Sequence, residues 1–279
     1  MIKHRPIARA LLGGILLFSV CSCSRGVPPK SSEEKERERM EQNGIKTVTE
    51  TKVLFFAGVR QPGMVTRISE YNRQGLLIKV TDYLPGGTPE FILSYSYNSG
   101  GQLTGYTAVD AAGEFLYKVT RDYNADHTLK ELYFHLPGGT YKYRTMAAYD
   151  TWGRLSEYAW YWPSGFKARN VYSYHNWNKV SDKEYDPRGR LNYEWTYRYD
   201  KENNLLQATQ VNAEGKITRK ILNVFKGTNL VQQTSYVEET IQKITKYAYD
   251  ERELLTAMTE FSSGGKQEAI YTYQYTRWK

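Results

Sequence analysis

The sequence predicts an all-β fold: tandem antiparallel β-hairpin repeats of about 25 residues, zipped into a long twisted or spiralled meander, a β-solenoid-like body. Three observations carry this. Aromatic residues recur at Tyr71, Tyr97, Tyr123, Tyr149, Tyr174, Tyr199, Phe225, Tyr249 and Tyr273, at intervals of 24 to 26 residues. Turn-forming clusters fall twice in each interval, except after Phe225, where Val237-Glu238-Glu239-Thr240 replaces the second, and the segments between them alternate apolar and polar side chains. So steady a period marks one supersecondary unit copied many times, no copy of which can bury its apolar face alone.

Composition agrees. The chain holds 25 Tyr, 6 Trp and 9 Phe among 279 residues, and aromatic side chains favour strands and supply large contact areas. Formal net charge is +8; without Lys3, Arg5 and Arg9 it is 35 basic against 30 acidic groups. Those charges are interspersed rather than gathered into a stripe, so no nucleic-acid partner is expected.

The first element is a leader. Lys3, His4, Arg5 and Arg9 precede an apolar run over 10–20, which suits a signal peptide and is too short to span a bilayer. Cys21-Ser22-Cys23-Ser24 follows and looks like a bacterial lipobox. Cys23, with Ser22 before it and Val20 three positions back, is the expected lipidation site; Cys21 is the alternative. The boundaries expected are a lipoprotein signal peptide at 1–22, a flexible charged tether at 23–46 and a repeat domain at 47–279. The tether contains Pro28-Pro29 and the charged run Glu33–Gln42, which could make a short charged helix but has no apolar stripe to dock and reads as a solvated stalk. A lipidated cysteine makes a membrane a partner, and the expected location is the cell envelope of a Gram-negative bacterium, anchored to the outer membrane on its periplasmic side or at the surface.

The repeat is turn chemistry joined to strand chemistry. Tyr71-Asn72-Arg73-Gln74-Gly75-Leu76-Leu77 and Tyr149-Asp150-Thr151-Trp152-Gly153-Arg154-Leu155 show the pattern. Asn or Asp after the strand bonds the backbone two residues on, and Gly or Asn near the fifth place supplies positive φ. A second breaker follows in mid-unit, as in Leu84-Pro85-Gly86-Gly87 and Trp162-Pro163-Ser164-Gly165. Leu191, Tyr193, Trp195, Tyr197 and Tyr199 share one strand face and Arg190, Asn192, Glu194, Thr196 and Arg198 the other, which reads as a half-buried antiparallel strand. A leading partial unit and eight full ones give roughly 18 strands.

Tyr149-Asp150-Thr151-Trp152-Gly153-Arg154-Leu155, Tyr185-Asp186-Pro187-Arg188-Gly189-Arg190-Leu191 and Tyr249-Asp250 with Leu255 resemble the YD-repeat family, also called rearrangement-hotspot repeats. The resemblance covers about residues 60–275. It implies β-hairpins that spiral into a shell and a role in scaffolding and surface binding, including of glycans; it supplies no catalytic residue.

No Gly-x-Ser-x-Gly elbow, P-loop, dinucleotide fingerprint or His-Glu-x-x-His occurs. No cofactor, metal site or catalytic residue is expected, and the chain is not read as an enzyme. Its histidines beyond the leader, His127, His135 and His175, have no metal-ligand spacing. Trp152, Tyr158, Trp160, Trp162, Trp177 and Trp195 cluster in the central units and form the candidate binding surface for a glycan or an envelope protein, since exposed rings stack on sugar faces and anchor partners. Two alternatives stay open. One is a glycan-degrading enzyme, with Glu131, Glu157, Asp182 and Glu184 as the carboxylates that a fold brings together. The other is an accessory or immunity factor of a toxin system.

Overall fold

The computed structural model describes residues 30–279. The leader and both cysteines, Cys23 included, lie outside the described residues. Helix α1 (Ser32–Gln42) comes first, followed by β1 (Ile45–Phe56), β2 (Val59–Arg60), β3 (Met64–Tyr71), β4 (Leu77–Tyr83), β5 (Pro89–Tyr97) and β6 (Leu103–Asp110). Then come β7 (Phe115–Tyr123), β8 (Leu129–His135), β9 (Tyr141–Tyr149), β10 (Leu155–Trp162), β11 (Gly165–His175), β12 (Asn178–Tyr185) and β13 (Leu191–Tyr199). The chain finishes with β14 (Leu205–Asn212), β15 (Ile217–Lys226), β16 (Asn229–Val237), β17 (Thr240–Tyr249), β18 (Leu255–Ser262) and β19 (Gln267–Arg277).

The fold is all-β, but it is not the open spiralled meander or solenoid that the repeats predict. It is a closed antiparallel barrel of 18 strands. Closure is the work of β1, which pairs with β19 on one edge (Glu50 opposite Tyr273) and with β3 on the other (Glu50 opposite Arg67). The short β2 pairs with the end of β1 alone. The stretch that reads as a leading partial unit is therefore the closing strand, and closure removes both sheet edges. Curvature comes from register shifts: every consecutive pair from β3 to β19 carries one beside its turn. Such bulges bend the strand and raise its twist, which is what rolls a flat ladder into a tube.

The turns perform the chemistry expected of them. Asn72 Oδ1 accepts the amides of Gln74 and Leu76 at 3.0 Å, and Asp150 and Asp186 do the same for residues two and four places on. The fifth place has positive φ with glycine at Gly75 and Gly153, and without it at His127, Asn203 and Glu253.

The periodic tyrosines do more than stack. The hydroxyls of Tyr97, Tyr123, Tyr149 and Tyr174 donate to the carbonyls of Leu77, Leu103, Leu129 and Leu155 at 2.7–2.9 Å. Tyr199, Tyr249 and Tyr275 bond those of Lys179, Leu230 and Leu255 at 2.8–3.1 Å. Each tie fastens the end of one strand to the start of its neighbour, beside the bulge. The last member of the series is Tyr275, not Tyr273. In the seventh unit Phe225 has no hydroxyl, and Asn223 Nδ2 reaches the Leu205 carbonyl at 2.8 Å in its place.

The charged segment expected to be a solvated stalk contains a docked helix. A capping box starts α1: Ser31 Oγ accepts the Glu34 amide at 3.1 Å and Glu34 Oε2 accepts the Ser31 amide at 2.7 Å. Its one buried residue, Met40, joins Ile45, Tyr71 and Leu254 in a small core, and Glu33 pairs with Arg121 of β7 at 3.6 Å. The helix thus lies across the barrel mouth formed by the tyrosine-end turns. Its seat requires Gly75, where an added Cβ would meet the Arg37 carbonyl oxygen at 2.1 Å. Gly75→Val is expected to dislodge α1, so that trypsin cuts between Lys35 and Arg39 at least ten times faster. Gly153→Val has a similar φ (+76° against +70°) and open space around it, so it should leave that rate unchanged. Equal rates in both variants would mean that α1 does not depend on this seat.

Candidate functional site

The wall that faces the lumen is fixed by pairing and by α1. Tyr71, Arg121 and Leu254 meet the helix or its cluster, and the register carries their parity round the barrel. On β11 to β13 this inner face presents Asn170, Tyr172, Lys179, Asp182, Glu184, Tyr193, Trp195 and Tyr197. An 18-stranded barrel is wide enough to leave an aqueous interior, and Tyr193, Trp195 and Tyr197 are half-buried residues of its wall.

Asp182 is the centre of this wall. It accepts from Asn170 Nδ2 at 2.6 Å and from Lys179 Nζ at 3.4 Å. The Lys179 ammonium also lies over the rings of Tyr172 (5.0 Å) and Tyr197 (4.6 Å), a cation–π arrangement that offsets part of its desolvation. Burial lowers the Lys179 pKa, against the pull of Asp182. One register step away, Tyr193 donates to Glu184 Oε2 at 2.7 Å and Asn192 Nδ2 to Glu184 Oε1 at 3.0 Å. Burial raises the phenol pKa values of Tyr172, Tyr193 and Tyr197, so all three keep their protons at physiological pH. Asn170 is buried, and its Oδ1 has no hydrogen-bond partner. The wall therefore offers rings, an amide, an ammonium and carboxylates side by side.

The predicted site residues separate into three places. Tyr158, Trp160 and Trp195 belong to the inner wall; Tyr158 and Trp160 meet edge to face with centroids 5.0 Å apart, and the Tyr158 hydroxyl bonds Thr145 Oγ1 at 2.6 Å. Trp152 and Trp177 sit in turns at the α1 end, Trp152 with 61 % of its surface exposed. Trp162 stands at the opposite rim. The six do not form one outer surface. The carboxylates separate likewise. Asp182 and Glu184 share the inner wall, whereas Glu131 pairs with Arg144 and Glu157 with Arg169 on the outside. Asn170, Tyr172, Lys179, Tyr193 and Tyr197 escape a reading based on tryptophans. Their signal is the break in apolar alternation where Lys179 and Asp182 take slots on an aromatic face.

A second polar group lines the lumen near closure. Arg67 grips Asp82 through Nε (2.6 Å) and Nη2 (2.9 Å), and that hydrogen bond raises the guanidinium pKa further.

The outer wall is polar. β13 turns Glu194, Thr196 and Arg198 outward, β9 Lys142 and Arg144, and β11 Lys167 and Arg169. A barrel embedded in lipid needs an outward apolar band, because a cation at the bilayer midplane costs about 2–4 kcal/mol. This wall suits water.

No protein-family model matches the chain, and no curated protein matches it in sequence. Among solved structures it is similar to a porin-like protein from Bacteroides uniformis, at 13 % identity and a TM-score of 0.47, over 84 % of this chain and 97 % of that one. It is also similar to a porin-like protein from Bacteroides vulgatus, at 10 % identity and a TM-score of 0.36, over 84 % and 99 %. A third similarity is to the Photorhabdus luminescens Tc holotoxin pore, at 12 % identity and a TM-score of 0.31, over 80 % of this chain and 14 % of that one.

Proposed function

We propose that this protein is a lipid-anchored barrel of the cell envelope that binds a glycan inside its lumen, against β10 to β13. One observation carries the reading: the inner wall brings Trp160, Tyr172, Trp195 and Tyr197 beside Asn170, Lys179, Asp182 and Glu184. Sugars are held by that pairing, a ring against the apolar face of the pyranose and planar polar groups on its hydroxyls. The leader, with Cys23 as the lipidated residue, supports the envelope location, and the polar outer wall supports a body that stands in water. With α1 across one mouth, a glycan enters through the other rim.

Binding of oligosaccharides, peptidoglycan fragments among them, is the direct test. Loss of one stacking ring is worth about 1.4 kcal/mol, or tenfold in affinity. Trp195→Ala is therefore expected to weaken the best glycan about tenfold, and Trp152→Ala, at the far end, to leave it unchanged. Equal affinities in all three proteins would remove the lumen reading. Glycan cleavage that stops in Asp182→Asn would replace binding with catalysis.

A further inference from the structure

The two ends of the barrel differ in a way that the lumen site does not use. Of the twelve large apolar side chains left exposed among the described residues, Val237 stands at the β16–β17 turn of the rim opposite α1, and seven share another arc of that rim: Phe56 (63 %), Val59 (62 %), Leu84, Phe115, Leu116, Trp162 and Phe166. They belong to neighbouring turns, β1–β2, β4–β5, β6–β7 and β10–β11, with Leu136-Pro137-Gly138-Gly139 of β8–β9 between the last two. The tips in this arc, Ala57-Gly58, Pro85-Gly86-Gly87, Ala111-Ala112-Gly113, Pro137-Gly138-Gly139 and Pro163-Ser164, carry no charge. Asp110, at the base of one of them, is tied to the amides of Ala112 and Glu114 at 2.9 Å. The other half of the same rim is charged, with Arg188, Glu214, Lys216, Glu238 and Glu239 in its turns. The tips are thus uncharged over one arc, with Arg60, Glu90, Glu114 and Lys167 exposed beside them, and charged over the other, which also carries Val237.

We propose that the apolar arc dips into the headgroup and upper acyl layer of a phospholipid bilayer. The shape of the arc selects this occupant. It is a series of separate short hairpin turns, and a fluid layer closes around each of them, whereas a protein partner needs one contiguous matching face of about 800 Å². The chemistry at the waterline agrees. Trp162 lies at the base of its tip with the Lys167 ammonium 5.1 Å from its ring, the pairing of indole and cation that anchors proteins at a membrane interface. A bilayer engaged by half a rim tilts the barrel and leaves the charged half of the mouth open to water.

Depth measurement tests this, because it reads which part of the molecule meets lipid rather than whether the molecule is attached. The full chain, isolated from membranes with its native N-terminus, is placed on vesicles of phosphatidylcholine and phosphatidylglycerol brominated in the acyl chains. Bromine quenching of indole fluorescence is expected to fall by at least half in Trp162→Tyr and not at all in Trp152→Tyr. Phe56→Ser with Val59→Ser, an exposed pair at the β1–β2 turn, should reduce the quenching of Trp162 at least twofold while the urea midpoint stays that of the parent. Hydrogen exchange should slow in the rim turns on vesicles and not in the turns around α1. Quenching that follows Trp152, or none at all, overturns the proposal. So does protection of the rim turns that grows with protein concentration in the absence of lipid, which would assign the arc to a second copy of the chain.

Discussion

Gly105→Ala is expected to destabilise the barrel by about 2–6 kcal/mol, a large fraction of what holds a protein of this kind together. Gly105 sits in β6 at φ +156°, and a Cβ placed there would lie 2.2 Å from the Val119 carbonyl oxygen and 3.2 Å from the Thr120 Cα. Both obstacles are backbone, at the Gly105–Thr120 end of the β6–β7 ladder. Relief therefore means parting two strands rather than turning a side chain, at about 1–3 kcal/mol, and the backbone conformation itself costs a non-glycine residue about 1–3 kcal/mol more. Gly113, in a turn at φ +87° with nothing within 4 Å, isolates the second term. Gly113→Ala should cost only about 1–2 kcal/mol. Urea midpoints for the two variants separate the contributions, and similar midpoints would show that β6 and β7 do not approach so closely at Gly105.

Much of this fold can be read in the sequence, because it is written in local rules. The tyrosine beat, the Asx turns at Asn72, Asp150 and Asp186, and the alternation of β13 all depend on residues a few positions apart. Closure does not. Nothing within Ile45–Phe56 announces that Glu50 will stand between Arg67 and Tyr273, since that pairing joins the two ends of the chain. The end of the tyrosine series shows the same limit on a smaller scale. Tyr273 and Tyr275 have the same parity, so periodicity admits both, and only the hydroxyl bond to Leu255 identifies Tyr275. Helix α1 divides in two. Its capping box, Ser31 with Glu34, is a sequence signal, but its docking follows from the absence of a side chain at Gly75, some forty residues on in the chain. The site was half visible. Asp182, Glu184, Trp160 and Trp195 stand out as residue types, whereas Asn170 and Lys179 acquire meaning only when closure turns an aromatic face into the wall of a lumen. The same closure scatters Trp152, Trp162 and Trp177 to the two ends.

The hydroxyl ties give the other large effect. Removing the donor at Tyr97, Tyr174 and Tyr199 together leaves the carbonyls of Leu77, Leu155 and Lys179 without their partners, at about 1–2 kcal/mol each. The triple change to phenylalanine is therefore expected to cost about 3–6 kcal/mol, although every ring remains in place. Position 225 offers the converse. Asn223→Ala should lose about 1–2 kcal/mol by freeing the Leu205 carbonyl, and adding Phe225→Tyr should recover most of it by restoring the tie found in the other units. A double variant no better than Asn223→Ala alone would show that the hydroxyl has no structural part. The ties also have a pH signature. Burial pushes the phenol pKa values of Tyr97, Tyr174 and Tyr199 from 10.0 up to about 12. Between those values the unfolded chain loses protons that the barrel keeps, so the contribution is intact below pH 10 and disappears as pH rises to 12. The alkaline fall in urea midpoint should accordingly be shallower in the triple phenylalanine variant. A fall of undiminished slope would mean that these three hydroxyls are not what the barrel protects from base.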